Sequence, residues 1–355
     1  MSTTTPVILL TITDPDLAEP AGAGLMLDLP TAVSLSYSRD ANGAVRRRIS
    51  DWTGKLYDEL VSNQGDCISC TVAEDLPGAV QFLAERQQWS CIVAVGPATV
   101  SPAPLARAVR DAAAEGSASD VTLASVVAFV GLPGLEHDLL GDDLLDERGL
   151  ALGATDRRSV GEALTSQLEY ADVVVAMGST SSDGPMALLR AVCTESTAVH
   201  QDWSTLDVAA LAQTRHDHDR AYDRVHPLTV PPLRTSPDAR VWTLELATTR
   251  PLDPERLLER IEDLGSGRIR GRGYFWLASR PDVACVWDAS GGQLSIGVYG
   301  EWEGRVPGTR LLITGTHEED RERIAAAFPQ VCSDEDAPVG EYWRHRQDGF
   351  EPWLG

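Results

Sequence analysis

CIVAVGPATVSPAPLARAVRDAAAEGSASDVTLASVVAFV, residues 91–130, decides the fold class of this 355-residue chain. The stretch begins and ends with apolar runs rich in β-branched residues, at 91–95 and 121–130, which are typical of buried strands. Between them, the Ala- and Arg-rich segment after Pro104 predicts a helix that ends near Glu115. A strand, a helix and a second apolar strand in this order indicate a parallel sheet covered on both faces.

The same alternation continues on both sides of this stretch. Residues 7–10 and 171–176 predict further buried strands, and residues 76–83 and 159–170 predict helices. We therefore predict an α/β domain with a mostly parallel sheet over residues 1–225.

After residue 225 the amino-acid composition of the chain changes. Four prolines lie between residues 227 and 237, which predicts a semi-rigid linker over residues 226–240. Residues 241–355 then predict a small α+β domain with an antiparallel sheet and an aromatic tail that packs back on it. Its strand candidates are residues 241–246, 273–278, 283–287, 293–298 and 310–314.

Composition excludes several classes of function. The chain has 53 acidic and 30 basic side chains and a formal charge of −23, which opposes non-specific binding to DNA. It contains no apolar run near the length of a membrane-spanning helix. The first residues carry no positive charge before their short apolar run, unlike a signal peptide, so we expect a cytoplasmic location.

The second half contains the most specific motifs. They read RPLDPERL at residues 250–257, RIRGRGYFWLASRPD at 268–282 and DGFEPW at 348–353. This text resembles the C-terminal domain of CobW-type proteins over residues 241–355. An alternative explanation of the individual motif residues is that the aromatic side chains are part of a core and the glycines lie in turns.

The first half has the layout of the GTPase domain that precedes this domain in the CobW family. Residues 65–76, GDCISCTVAEDL, are similar to the family's zinc motif, and residues 91–102 and 156–175 are similar to two further segments. The resemblance implies a P-loop-GTPase-like fold of the metallochaperone kind, with zinc as the metal.

The nucleotide motifs of that fold are degenerate here. A P-loop needs glycines, a lysine and a Ser or Thr, whereas residues 11–16 read TITDPD, and Lys55, the only lysine, lies outside any such pattern. The acidic position of one family segment falls on Val95, and the guanine-reading motif falls on residues 177–180, MGST. We therefore predict no catalytic residues, no GTP hydrolysis and no bound nucleotide.

The zinc motif is kept in part. Cys67 and Cys70 retain the outer thiols, whereas the middle position is Ser69. Two thiolates can share one metal, but a closed tetrahedral zinc site needs two further ligands. We name Cys67 and Cys70 as candidate zinc ligands; the alternative is a reduced cysteine pair in a turn. Candidates for the missing ligands are Cys91, Glu74, Asp75 or distant histidines.

Histidines alternate with aspartates at residues 216–219, HDHD, and His226 follows. Such a segment can hold a borderline metal loosely, or it can simply be a solvated linker.

Two local groups of arginines stand out in this acidic chain. They are residues 46–48 and the alternating Arg268, Arg270 and Arg272, which share one face of a predicted strand. They suit an RNA backbone or an acidic protein surface, or else they pair with the chain's own carboxylates.

The departures from the family pattern resemble one actinobacterial branch of CobW-like proteins, which reads CVSCT where residues 67–71 read CISCT. That resemblance implies a non-catalytic adaptor that recruits a hibernation-promoting factor to the ribosome when zinc is scarce. The alternative is a zinc metallochaperone or zinc-binding protein that hands metal to a metalloprotein client.

Overall fold

The structure, a computed structural model, describes residues 4–40, 42–62, 67–233, 236, 238–302, 304–337, 339–343 and 346–355. It divides into two compact units. The first unit comprises residues 1–135, 144–181 and 193–223, and the second comprises residues 136–143, 182–192 and 224–355.

The strands and helices of the described residues have the following bounds. The strands are β1 (Thr5–Ile12), β2 (Ala32–Arg39), β3 (Val45–Asp51), β4 (Gly54–Val61), β5 (Cys91–Val95), β6 (Val121–Gly131), β7 (Val173–Met177), β8 (Ala198–Gln201), β9 (Trp242–Thr248), β10 (Ile269–Phe275), β11 (Val283–Ser290), β12 (Gln293–Glu301) and β13 (Thr309–Gly315). The α-helices are α1 (Ala18–Asp28), α2 (Ile68–Glu85), α3 (Pro102–Glu115), α4 (Leu135–Leu140), α5 (Val160–Tyr170), α6 (Gly184–Val192), α7 (Val208–Gln213), α8 (His218–Val225), α9 (Pro254–Gly265), α10 (Glu318–Val331) and α11 (Glu351–Leu354). None of these helices is both long and apolar enough to cross a membrane.

The first unit is built on an eight-stranded sheet in the order β4-β3-β2-β5-β1-β6-β7-β8. Strands β2, β5, β1, β6, β7 and β8 are parallel, whereas β3 and β4 extend one edge as an antiparallel hairpin. In the centre, Leu9 of β1 lies between Ala94 of β5 and Val126 of β6. Both faces of these strands are buried, which explains their continuous apolar runs. The predicted α/β fold class is confirmed.

Local signals in the sequence place the helices of this unit. Helix α5 begins after Ser159, whose hydroxyl accepts the Glu162 N–H while the Glu162 carboxylate accepts the Ser159 N–H. This capping box satisfies two amide groups that a helix start otherwise leaves unpaired. Helix α3 follows Ser101 with Pro102 at its first position and ends at Gly116, which has a φ of 85°.

The second unit contains an antiparallel five-stranded sheet in the order β12-β11-β10-β13-β9. Its core includes Phe275 and Trp287, whose rings meet edge to face at 5.9 Å. Near the chain's end, Phe350 and Leu354 are buried in the same core, as predicted for the aromatic tail. The small antiparallel α+β domain predicted for the second half is confirmed.

One glycine of the RGRGYF segment is required by the strand pairing. Gly273 in β10 has a φ of 148°, and a Cβ placed on it would lie 2.1 Å from the carbonyl oxygen of Arg310 in β13. Only a residue without a side chain permits this close approach of two strands.

Candidate functional site

The loop between β1 and α1 occupies the position where a phosphate-binding loop is expected. Pro15 has no N–H, the Asp16 N–H donates to the Asp14 carboxylate at 2.9 Å, and the Leu17 N–H donates to the Asp14 carbonyl at 3.1 Å. The Ala18 N–H donates to the Pro15 carbonyl. The N–H groups of Asp16, Leu17 and Ala18 are thus bonded within the loop, and the exposed carboxylates of Asp14 and Asp16 lie beside them. These residues do not fit a nucleotide phosphate, because a phosphate needs free amide donors and no neighbouring negative charge.

A buried glutamine, which sequence reasoning missed, fixes the base of this loop. The Gln167 side-chain N–H groups donate to the carbonyls of Ile12 at 3.3 Å and Val100 at 3.0 Å, and its oxygen accepts the Thr13 hydroxyl at 2.9 Å. It therefore joins the loops that follow β1 and β5. The sequence contained one signal for this role, because Gln167 lies at helical spacing from the apolar residues Val160, Ala163 and Leu164. A polar side chain on such a face is buried and needs hydrogen-bond partners.

Cys67 and Cys70 lie together at the start of α2. Their sulfurs are joined as a disulfide, and their Cα atoms are 5.3 Å apart. Cys67 is the N-cap of α2, where its sulfur accepts the Cys70 N–H at 3.2 Å. Both residues are exposed, whereas Gly65 and Asp66 of the same motif lie outside the described residues. When reduced, this pair presents two thiols at a helix N-terminus, where the helix dipole favours the thiolate form.

The predicted additional ligands differ sharply in their surroundings. Cys91 is buried in β5, and burial raises the pKa of its thiol to about 12. The Asp75 carboxylate accepts hydrogen bonds from the Tyr37 hydroxyl at 2.7 Å and from Arg47 at 2.8 Å. Glu74 is exposed, makes no hydrogen bond or ion pair within the described residues, and follows Cys70 by one helical turn. Of the three, only Glu74 is available to a metal at the thiols.

A closed metal site is not formed by the described residues alone. Among them, no group of three or more His, Cys, Asp or Glu side chains is arranged to hold a metal ion. The naming of Cys67 and Cys70 as zinc ligands therefore stays a prediction.

The histidine-rich segment is not solvated as a whole. His216 is buried, and its Nδ1 lies 2.6 Å from the Asp172 carboxylate, while its Nε2 has no hydrogen-bond partner among the residues that the structure describes. The His218 ring lies edge-on at 4.6 Å, and its pKa is lowered to about 4 by burial, then by the nearby His216 and Arg110. His226 belongs to the second unit, where its Nε2 lies 2.6 Å from the Tyr299 hydroxyl. The interpretation of residues 216–219 and His226 as a fully solvated linker is therefore wrong.

The arginines of β10 are internal rather than exposed. Arg270 and Arg272 are 5% and 7% exposed. Arg270 pairs with Asp288 and also bonds backbone carbonyls, whereas Arg272 donates to the Arg224 carbonyl at 2.7 Å. The alternative of a basic stripe for RNA is therefore wrong for Arg270 and Arg272, and the alternative of pairing with the chain's own carboxylates is confirmed for Arg270.

Comparisons with known proteins concern the C-terminal sheet and the expected link to zinc. Residues 241–332 match the family model described as the cobalamin synthesis protein cobW C-terminal domain. The chain is 28% identical over 248 residues to the zinc chaperone Rv0106 of Mycobacterium tuberculosis H37Rv. This alignment covers 66% of this chain and 58% of that protein. It is 23% identical over 267 residues to the zinc-regulated GTPase metalloprotein activator 1 of Dictyostelium discoideum, over 70% of this chain and 56% of that protein. The aligned part is thus less than two thirds of the length of these relatives.

Among solved structures, the Zn(II)-bound YjiA GTPase from E. coli is 13% identical and has a TM-score of 0.38, with 93% of this chain and 100% of that chain covered. A TM-score this low does not establish a common fold, so the fold class rests on the sheet order itself. Residues 241–332 therefore match a cobW C-terminal domain, and the chain is similar in sequence to proteins named zinc chaperone and zinc-regulated GTPase metalloprotein activator.

Proposed function

We propose that this chain is a cytoplasmic zinc-handling protein that takes up Zn²⁺ on the thiolates of Cys67 and Cys70 and passes it to a metalloprotein client without hydrolysing GTP. The observation that carries this proposal is the position of the two sulfurs, which lie together at the exposed start of α2. Similarity to proteins named zinc chaperone and zinc-regulated GTPase metalloprotein activator supports zinc as the cargo.

Two thiolates are well suited to transfer rather than to permanent storage. Zinc prefers four ligands in a tetrahedral arrangement, so two protein thiolates leave coordination positions open. Ligands of a client can occupy these positions before the thiolates leave, and the metal then moves by ligand exchange. Deprotonation is required for each thiol that binds, which makes loading weaker as the pH falls.

The test is the zinc content of the purified, reduced full-length protein. We expect zinc to be retained by the wild type and lost in the double variant Cys67→Ser/Cys70→Ser. The variant Ser69→Ala is the matched control, because it changes the residue between the two thiols and keeps both. Equal zinc binding by the wild type and the double variant would contradict the proposal.

A second function is supported by the loop between β1 and α1, whose internally bonded amides favour a non-catalytic role. In this alternative the chain is an adaptor that recruits a hibernation-promoting factor to the ribosome, and Cys67 and Cys70 respond to zinc status.

Co-sedimentation with purified ribosomes and a hibernation-promoting factor, with zinc present or chelated, tests this alternative. The adaptor predicts that the factor pellets with ribosomes only when this chain is present. An unchanged pellet excludes it and leaves the zinc-transfer proposal intact.

A further inference from the structure

A cavity of about 590 Å³ opens in the first unit beside the carboxyl ends of β1, β2 and β5. Its walls are one face of α1, the hairpin strands β2 and β3, and two loops at residues 96–98 and 149–152. This volume lies in the usual range for small-molecule sites, and the edge of a parallel sheet is a common place for them.

The charge of the cavity is opposite to that of the protein. The twenty described residues that line it include two arginines and four serines but no Asp or Glu, although 53 of the 355 residues of the chain are acidic. Arg39 donates one side-chain hydrogen bond, to the Ala151 carbonyl at 3.0 Å, and has no ion-pair partner among the described residues. An arginine left without a carboxylate in so acidic a chain is available to an anion.

The second arginine is only partly neutralised. Arg48 Nε lies 3.7 Å from Asp58, and the same carboxylate lies 2.7 Å from Arg46 and 3.2 Å from Lys55. The single negative charge of Asp58 is therefore shared by three cationic side chains, so a net positive charge remains at this edge of the cavity.

Hydroxyl groups line the same face of the two strands. Ser36 of β2 pairs with Arg48 of β3, and Ser34 pairs with Ser50, so these residues share one face of the sheet. The hydroxyls of Ser34, Ser38 and Ser50 make no hydrogen bond within the described part of the chain, and all three residues line the cavity. Guanidinium and hydroxyl donors side by side suit an oxyanion.

The two loops at the rim are held together by a strained residue. Thr99 is fully buried with a φ of 67°, in the left-handed region that β-branched residues avoid. Its N–H donates to the Ile12 carbonyl at 3.0 Å, its hydroxyl donates to the Leu150 carbonyl at 3.1 Å, and its carbonyl accepts from Arg158 at 3.1 Å. Such strain persists only where the surroundings impose it, and it is concentrated at functional sites.

We propose that this cavity binds a small organic anion, with its phosphate or carboxylate group held by Arg39, Arg48 and the serine hydroxyls. The apolar part of the ligand lies against Ala18 and Met26 of α1. This site differs from a phosphate-binding loop, because its donors come from β2 and β3 whereas the amides after β1 are bonded internally. It is independent of the proposed zinc transfer.

Thermal unfolding of the full-length protein in inorganic phosphate or in citrate, against sodium chloride of equal ionic strength, tests this proposal. A bound anion raises Tm by mass action, and the shift saturates with concentration. We expect a saturable shift with at least one of the two anions, and the better one identifies the ligand as a phosphate or a carboxylate. The shift is expected to be lost in Arg39→Gln and in Arg48→Gln.

Two further variants separate a site from a general salt effect. Gly22 lies on the α1 wall, and a Cβ built on it meets no atom within 4 Å, so Gly22→Leu fills the cavity in a favourable helix position and should abolish the shift. Arg107→Gln on α3 makes the same charge change away from the lining and should retain it. Phosphate and citrate also stabilise proteins by exclusion from their surface. The absence of a saturable shift, or equal shifts in all variants, would therefore overturn the proposal.

Discussion

The cysteines show how strongly surroundings decide the chemistry of one residue type. Cys67 and Cys70 are exposed at a helix start, whereas Cys91, Cys193, Cys285 and Cys332 are buried thiols. Burial raises the pKa of both Cys91 and Cys285 to about 12, so neither forms a thiolate near neutral pH.

We predict that alkylation of the reduced native protein at pH 7.5 modifies Cys67 and Cys70 rapidly and leaves the four buried thiols unmodified. The reagent attacks thiolates, and only the first two are exposed beside a helix dipole. Peptide mass spectrometry at successive times gives the modified positions, and the unfolded protein in denaturant is the control for full labelling. Early modification of Cys91 would show that the sheet is open at β5.

Glu74 is the residue that we expect to strengthen zinc binding at the thiol pair. It lies one turn after Cys70 on α2, where side chains four positions apart are neighbours. We predict that Glu74→Gln weakens zinc binding about tenfold, which corresponds to about 1.4 kcal/mol. Competition with a chromophoric chelator gives the affinity.

The matched control for this prediction is Glu85→Gln at the far end of α2, which should leave zinc affinity unchanged. If Glu74→Gln also leaves it unchanged, the thiols bind zinc without this carboxylate.

At the scale of elements, the sequence predicted what apolar patterning controls. Strand β5 was expected at residues 91–95 and is found there, because five consecutive apolar residues can be accommodated only between the covered faces of a parallel sheet. A helix was also predicted over residues 159–170, and the structure shows that Ser159 and Glu162 cap its start.

Features that depend on distant partners could not be predicted in this way. Arg270 and Arg272 alternate in sequence like exposed residues, but Asp288 and backbone carbonyls of other segments compensate their burial. The hydrogen bonds of Gln167 likewise join loops more than sixty residues away. For the candidate thiol site, local spacing identified Cys67 and Cys70. Only the fold showed that the Asp75 carboxylate is bonded to Tyr37 and Arg47, whereas Glu74 has no hydrogen bond or ion pair among the described residues.

The C-terminal segment that contains α11 is held in place by the carboxylate of Asp348, and the negative charge of this group stabilises the fold. Asp348 is nearly buried and accepts hydrogen bonds from Ser279 at 2.7 Å, Arg280 at 2.8 Å and the Phe350 N–H at 2.9 Å. Burial raises its pKa, but the bonds from Arg280, Ser279 and Phe350 outweigh that effect and hold the pKa below the ordinary value of 3.8. The folded protein is therefore stabilised by the ionised form.

We predict that Asp348→Asn lowers the free energy of unfolding by about 2 kcal/mol at pH 7, the usual contribution of hydrogen bonds to a charged group. Because the folded pKa is lowered, this contribution is complete above the unfolded value near 4 and is lost as the pH falls through the folded value. Urea unfolding of both proteins between pH 7 and pH 3 checks this, with the exposed Asp282→Asn as the control. A difference that persists unchanged at pH 3 would show that the ionised carboxylate is not its source.

At the scale of the whole molecule, charge is distributed unevenly in a way that matches the two proposals. The net charge of −23 produces a field that attracts cations such as Zn²⁺ and opposes nucleic acid. The cavity bounded by Arg39 and Arg48 is a local exception, because none of the described residues that line it is a carboxylate. A cation and a small organic anion can therefore be recognised by separate surfaces of the first unit.

The sheet order also shows where the only lysine lies relative to the loop after β1. Lys55, the only lysine, lies on β4, four strands from β1, which at about 4.8 Å per strand is about 19 Å from the loop where a phosphate would need it. The N–H groups of Asp16, Leu17 and Ala18 in that loop are already bonded, so neither the lysine nor these amides are placed as in a P-loop. We predict that the purified protein releases no phosphate from GTP with Mg²⁺ above the buffer blank. Magnesium-dependent release that rises with protein concentration, and that persists after repurification, would require a catalytic arrangement different from the one seen after β1.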